Sequence, residues 1–183
     1  MSHKRYLRVN TIHLETGRLI LTPLSQSDLQ LFHNMNTNPF IRKYMWDDRI
    51  IDIDTSKEII EKNTHLFEIE KCGIWKVLLK DSLRVIGYTG LWYFFGEPQP
   101  QLIYALLPQY VKQGFAAEFS QAIIDYAFSI LKYKYIIAAA DEPNTESQNL
   151  ARRLGMKFVE KRWRMIKYRV RKLVHRRCLR KKI

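Results

Sequence analysis

The segment Val111-Lys-Gln-Gly114-Phe-Ala116 places one glycine between a short apolar run and an amphipathic helix. Glycine at such a junction lets the backbone turn tightly and come close to a ligand. The amides that follow open the helix, where N–H groups have no intrahelical acceptor and stand at the positive end of the helix dipole. With Lys112 beside them, these groups form an anion site that a pyrophosphate fits. Read more plainly, the segment is a turn leading into a core helix, and one glycine is far weaker than a full Walker loop. A second polar pair, Asn144-x-x-Ser147, suits a helix cap.

The flanking elements follow from pattern. Tyr104 to Leu107 is an apolar run stopped by Pro108, as expected of a strand whose end is fixed by proline. From Phe119, the residues Ala122, Ile123, Tyr126, Ala127, Ile130 and Leu131 fall three and four apart on one helical face, with Gln121, Asp125 and Ser129 on the other. Upstream, Arg18 to Leu24 reads as a first strand and Ser25-Gln-Ser-Asp28 as a helix start. A helical face through Leu29, Leu31, Phe32 and Met35 is interrupted by Asn34 to Pro39, and Phe40 to Trp46 resumes it as a short helix or turn. Asp54-Thr-Ser56 is expected to cap a helix from Lys57 to about Lys71. Gly73 to Leu79 and Arg84 to Phe95 form an antiparallel hairpin around Lys80-Asp-Ser82, and Gln101 to Leu107 is the central strand. Tyr135 to Ala140, a helix from Asn144 to Leu154, and the pair Lys157 to Trp163 with Ile166 to Val170 complete the series. This order is α+β around a mixed sheet.

The chain has 183 residues, of which 46% are hydrophobic, so residues 1–183 are expected to form a single domain with its own core. With no apolar run of membrane-spanning length and no signal-peptide core at the N-terminus, the expectation is a cytoplasmic protein. Cys72 and Cys178 lack metal-ligand spacing and read as free thiols; no metal is expected. Of the formal charge of +13, eleven positive charges with no opposing acid lie between Arg162 and Ile183, leaving +2 for the rest. The basicity belongs to a C-terminal extension of about 171–183. That tail is open to three readings: a solvated end, a phosphate-binding segment for RNA or the ribosome, or a basic amphipathic helix built on Val170, Leu173, Val174 and Cys178.

The glycine turn resembles motif A of the GNAT acyltransferases, Q/R-x-x-G-x-G/A, through Val111, Gly114 and Ala116. Pro108, Tyr110, Lys112, Gly114, Phe115, Ala116 and Glu118 resemble the P-x-Y-W-G-K-G-Y-A-T-E-A pattern of the RimJ/RimL branch, which acetylates protein N-termini. Val111 departs from the usual tryptophan or basic residue, and Gln113 from a frequent lysine. Asn144-x-x-Ser147 followed by Leu154-Gly155-Met156 resembles N-x-x-S...L-G-F/M. The likeness extends, more loosely, from about Leu14 to Glu160.

The resemblance implies a GNAT fold in which two central strands splay apart and the cosubstrate, acetyl-CoA, enters the gap. It implies that backbone groups of Leu106 and Leu107 pair with the pantetheine arm. Amides of Lys112, Gln113, Gly114, Phe115, Ala116 and Ala117 are then expected to hold the pyrophosphate. Asn144 and Ser147 are implied to lie near the pantetheine and the departing sulfur. Many members place a tyrosine four residues before the L-G-F glycine as proton donor to that sulfur; Ala151 stands there, and Ser147 is the hydroxyl on offer. The branch's acid position is occupied by Gln101, which cannot accept a proton, and Glu97 lies in a proline-flanked turn. Met45 and Trp46 fall where the family covers its acceptor, although an aromatic there equally suits the core.

The implied activity is transfer of an acetyl group to a primary amine, a small molecule or a protein N-terminus. Deprotonating a lysine amine near pH 7.4 costs roughly 4 kcal/mol, against about 0.5 for an α-amine. A site without a strong base therefore favours the α-amine. The alternatives are a CoA-binding protein of the same fold with impaired catalysis, suggested by Gln101 and Ala151, and an RNA-binding protein acting through its tail.

Overall fold

The computed structural model describes residues 12–94, 98–162 and 165–171. Two short strands, β1 (Leu14–Glu15) and β2 (Leu19–Pro23), lead into a one-turn 3-10 helix at Gln26–Asp28. Ser25 and Asp28 cap that turn reciprocally, which is the helix start expected from their spacing. Helix α1 (Leu29–Thr37) ends at Asn38, and α2 (Pro39–Met45) begins at once. Asn38 is extended and its side chain accepts from Phe40 N–H, while Pro39 suits a first helical position. The break foreseen across Asn34 to Pro39 is therefore confined to one residue.

Helix α3 runs from Ile53 to Glu70, with Asp52 as its cap. The Asp52 carboxylate accepts from Thr55 N–H at 2.7 Å. The expected cap at Asp54-Thr-Ser56 is corrected by about one turn: Asp52 is the acid with extended backbone, and Asp54 instead lies in the first turn, where it favours the dipole. Strands β3 (Ile74–Leu79) and β4 (Val85–Trp92) form the anticipated antiparallel pair. At Gly90 a Cβ would lie 2.1 Å from the Gly73 carbonyl oxygen, so the two backbones meet at a distance only glycine permits.

Strand β5 (Gln101–Leu106) is followed by a 3-10 turn at Pro108–Tyr110 and then by α4 (Phe115–Ser129). The remaining elements are β6 (Tyr135–Asp141), α5 (Thr145–Arg153), β7 (Lys157–Arg162) and β8 (Met165–Arg171). Among the described residues, eight strands form one sheet in the order β1-β2-β3-β4-β5-β6-β8-β7. Every pairing is antiparallel except β5 with β6, which is parallel.

That exception organises the molecule. β4 and β5 pair over six residues, and β6 and β8 over seven, but β5 and β6 share one registered pair, Gln101 with Ile137. From that pair the strands diverge toward Leu106, leaving the mixed sheet splayed at its centre. An antiparallel ladder directs backbone groups alternately to its partner and away. Leu107 N–H donates to the Ile86 carbonyl at 2.9 Å, so the groups of Leu102, Tyr104 and Leu106 face the opening.

Apolar side chains pack both faces. Phe119, Ile123 and Ala127 of α4 join Leu19, Leu21, Trp75, Val77, Leu102 and Ile136 in one cluster. Phe32, Met35, Ile41 and Ile60 of the first three helices meet Tyr88, Trp92, Ile103 and Ala105 in the other. Burial at about 25 cal/mol per Å2 makes these clusters the main stabilising contribution. Among the described residues, no helix is long and apolar enough to cross a membrane.

Candidate active site

β5 carries the chain into the turn that α4 follows, and α5 begins just after β6. Because β5 and β6 are parallel and meet near their starts, the loop at 112–114 and the N-terminus of α5 both lie at the wide end of the splay. The topology therefore brings Leu106, the glycine loop, Asn144 and Ser147 to one end of one gap.

The loop backbone is left-handed at Lys112 (φ 61°) and Gly114 (φ 83°), a geometry that turns successive amides toward one concavity. Gly114 is the N-cap of α4, so the helix begins at Phe115, where the amides after the glycine were expected to open it. Its first internal bond runs from Glu118 N–H to the Gly114 carbonyl at 3.1 Å. Among the described residues, no hydrogen bond engages the N–H groups of Lys112, Gln113, Gly114, Phe115, Ala116 or Ala117. Lys112, Gln113 and Gly114 are exposed. The residues present thus fit a diphosphate: a row of unengaged donors at a helix N-terminus with a lysine alongside.

A clamp absent from the sequence reading holds this loop. Arg18 Nη1 donates to the Gln113 carbonyl at 3.1 Å, and its Nε donates to Glu118 Oε2 at 2.7 Å. The guanidinium carbon stacks 4.3 Å from the Phe115 ring centroid. Glu118 also accepts from Thr16 Oγ1 at 2.6 Å and from Arg18 N–H at 2.8 Å. Burial pushes the Glu118 carboxyl up, but the bonds from Thr16 and Arg18, and the guanidinium charge, outweigh it and hold the group below its ordinary value. Arg18 and Glu118 are 100 residues apart, so only the fold unites them; the hint in the sequence was an acid in the first turn of the motif helix.

Leu106 and Leu107 differ. Leu106 turns its backbone to the gap, whereas Leu107 already donates to Ile86, and its carbonyl accepts from Tyr110 N–H at 3.0 Å. The neighbouring strand and the following turn thus engage the Leu107 N–H and one lone pair of its carbonyl, so of the two residues expected to meet the pantetheine arm it is Leu106 that turns both backbone groups to the gap. Asn144 caps α5, accepting from Ser147 N–H at 3.1 Å. Ser147 sits in the first turn of that helix, and its Oγ is hydrogen-bonded to Tyr104 Oη across the gap. Leu102, Tyr104, Ala139, Ser147, Ala151 and Tyr168 are among the residues lining the cleft there. Ala151 is buried and offers no donor.

On the opposite face, Gln101 is buried and marks the closed end of the splay. Asn36, fully buried, accepts at Oδ1 from Tyr88 Oη at 2.7 Å and from Trp46 Nε1 at 2.8 Å. Burial pushes the Tyr88 phenol well above its usual range. Trp46, singled out as a covering residue, is thus tethered to the sheet by a buried amide. Glu97 and the basic tail beyond Arg171 lie outside the described residues. Cys72 is buried and free, and burial raises its thiol to about 12, which keeps it protonated and inert.

Comparison with known proteins decides the family. Residues 18–157 match the acetyltransferase (GNAT) domain. The chain belongs to the GNAT acetyltransferases. It is 25% identical to the uncharacterized N-acetyltransferase YnaD of Bacillus subtilis (strain 168) over 146 residues, 80% of this chain and 83% of the relative. A spermidine N(1)-acetyltransferase of Vibrio cholerae serotype O1 (strain ATCC 39315 / El Tor Inaba N16961) is 26% identical over 144 residues, 79% of this chain and 80% of that one. The structure of an acetyltransferase from Agrobacterium tumefaciens str. C58 superposes with a TM-score of 0.77 at 21% identity, covering 87% of this chain and 94% of the other. This GNAT protein is therefore an N-acetyltransferase by family, with the family's splayed sheet.

Proposed function

We propose that this protein transfers an acetyl group from acetyl-CoA to the α-amine of a peptide or protein N-terminus, as the RimJ/RimL branch does. The observation that carries the reading is the row of unengaged amides from Lys112 to Ala117 at the wide end of the splay. Those amides and Lys112 hold the pyrophosphate; the gap-facing groups of Leu106 extend the sheet to the pantetheine arm. When bound, acetyl-CoA supplies an activated thioester acyl group.

The protein's own contribution is positional. Holding donor and amine together converts a bimolecular encounter into an intramolecular one. A backbone N–H on the gap edge of β5 donates to the carbonyl oxygen as it gains charge. Ser147 directs its hydroxyl at the sulfur; because a thiol has a pKa of about 8.5, the departing thiolate needs only modest support. Gln101 cannot remove the amine proton, so water relays it, which favours amines that cost little to deprotonate near pH 7.4.

The test has two parts. Calorimetric titration with acetyl-CoA should give saturable binding that is weakened by Gly114→Ala. Thiol release should then favour peptides with free N-termini over α-blocked lysine peptides and spermidine. The similarity to a spermidine N(1)-acetyltransferase makes spermidine the necessary third acceptor. Comparable turnover of the blocked lysine peptide or spermidine would refute the α-amine assignment; absence of acetyl-CoA binding would refute the donor assignment.

A further inference from the structure

Tyr104 lies on β5 with its backbone facing the gap, and its hydroxyl reaches Ser147 Oγ on α5. The contact joins the two halves of the splayed sheet at the cleft that Leu102, Ala139 and Ala151 also line. Either oxygen could donate, but a phenol is the stronger acid and the better donor. From this geometry we infer that Tyr104 is a positioning residue for the departing sulfur, donating to Ser147 Oγ so that the serine proton is turned into the gap. The inference rests on the reading that Ser147 faces the donor thioester.

The physical case begins with what a serine does in the first turn of a helix. Its hydroxyl readily bonds a nearby backbone carbonyl of its own chain, and in that state its proton is unavailable. A phenol donating to the serine oxygen satisfies one lone pair and leaves the proton as the remaining donor. Backbone anchoring supports this arrangement: Ser147 N–H is held by Asn144 Oδ1 at 3.1 Å, and the Tyr104 ring packs on Phe119 with centroids 6.2 Å apart. Ala151 offers the cleft no hydroxyl, and Tyr104 brings a phenol to it from a strand.

Tyr104 does not surrender its proton. Burial raises its phenol to about 12, while a thiol ionises near 8.5, so full transfer would be disfavoured by roughly three orders of magnitude. When the carbon–sulfur bond breaks, its electron pair stays on sulfur. The serine proton hydrogen-bonds to that sulfur while remaining on Oγ, and the excess proton leaves from the acetylated nitrogen to water. Tyr104 and Ser147 end the step as they began.

The direct test is the ionisation of the CoA thiol in the binary complex, followed by thiolate ultraviolet absorbance, alongside calorimetric CoA affinity. Wild type, Tyr104→Phe, Ser147→Ala and the double variant are compared. The expected result is a bound-thiol pKa about one unit lower in wild type than in Ser147→Ala, with Tyr104→Phe removing most of that difference. The double variant should match Ser147→Ala alone. In turnover, Tyr104→Phe should lower kcat about ten-fold with little change in KM for acetyl-CoA. An unchanged thiol titration in Tyr104→Phe overturns the inference, as does a Tyr104→Phe effect that persists without Ser147. CoA that binds while the titration ignores both residues refutes this role alone; wild type that fails to bind CoA refutes the donor assignment as well.

Discussion

Arg18→Ala separates two ways in which the clamp could matter. Arg18 and Glu118 form a neutral pair beside the loop amides, with Nη2 2.7 Å from Oε2. Removing Arg18 leaves a carboxylate next to the site proposed for a diphosphate. For one unit charge acting on two at roughly 10 Å in about 20 mM salt, where the Debye length is roughly 20 Å, with an effective dielectric of roughly 40, Coulomb energy with screening comes to about 1 kcal/mol. The pair itself adds little direct stability, since the guanidinium is half exposed. The expected outcome is CoA binding about five-fold weaker for Arg18→Ala at low salt, with the deficit shrinking as ionic strength rises. Arg18→Ala/Glu118→Gln should recover most of the affinity, because neutrality is restored although the clamp is still missing. Calorimetry at about 20 and 300 mM salt reads both. A salt-independent loss that the double variant fails to repair would refute the electrostatic account and leave loop geometry as the cause.

Gly114→Ala forces a side chain into a left-handed conformation and brings its Cβ to 3.4 Å from Arg18 Nη2; thermal melting should show a loss of about 1–2 kcal/mol. Gly90→Ala would drive a Cβ to 2.1 Å from a backbone oxygen, so urea unfolding should show a loss of about 3 kcal/mol or more. Asn36→Ala strands the Tyr88 hydroxyl and the Trp46 indole N–H; a loss of about 3 kcal/mol and a raised KM for the acceptor are expected, read by melting and by steady-state kinetics. Because the Glu118 carboxyl is held below its ordinary 4.5, its contribution to stability is present above that value and is lost as pH falls through the lower folded value. Melting curves of wild type and Glu118→Gln should therefore converge as pH falls below 4.5 and through the lower folded value.

The local code made much of this visible. Proline after Leu107, the spacing from Phe119 to Leu131 and the Ser25 to Asp28 cap each act within a few residues, and the corresponding elements are present. The misplaced start of α3 has a physical cause: periodicity marks the buried face, whereas the helix extends to whichever residue can take the cap, here Asp52. Arg18 with Glu118 and Tyr104 with Ser147 were invisible because sheet topology, not spacing, makes them neighbours. The engagement of Leu107 depended on ladder parity, which one residue of register reverses.

The single bridge between Gln101 and Ile137 has a mechanical consequence. With so little ladder joining them, β1–β5 and β6–β8 resemble two plates riveted at one corner, and side-chain packing carries the remaining load. A cosubstrate lying along the open margin becomes a missing strip of framework as well as a reagent. Its departure should loosen β6–β8, so slower amide exchange in β6 on binding would register assembly of the scaffold itself.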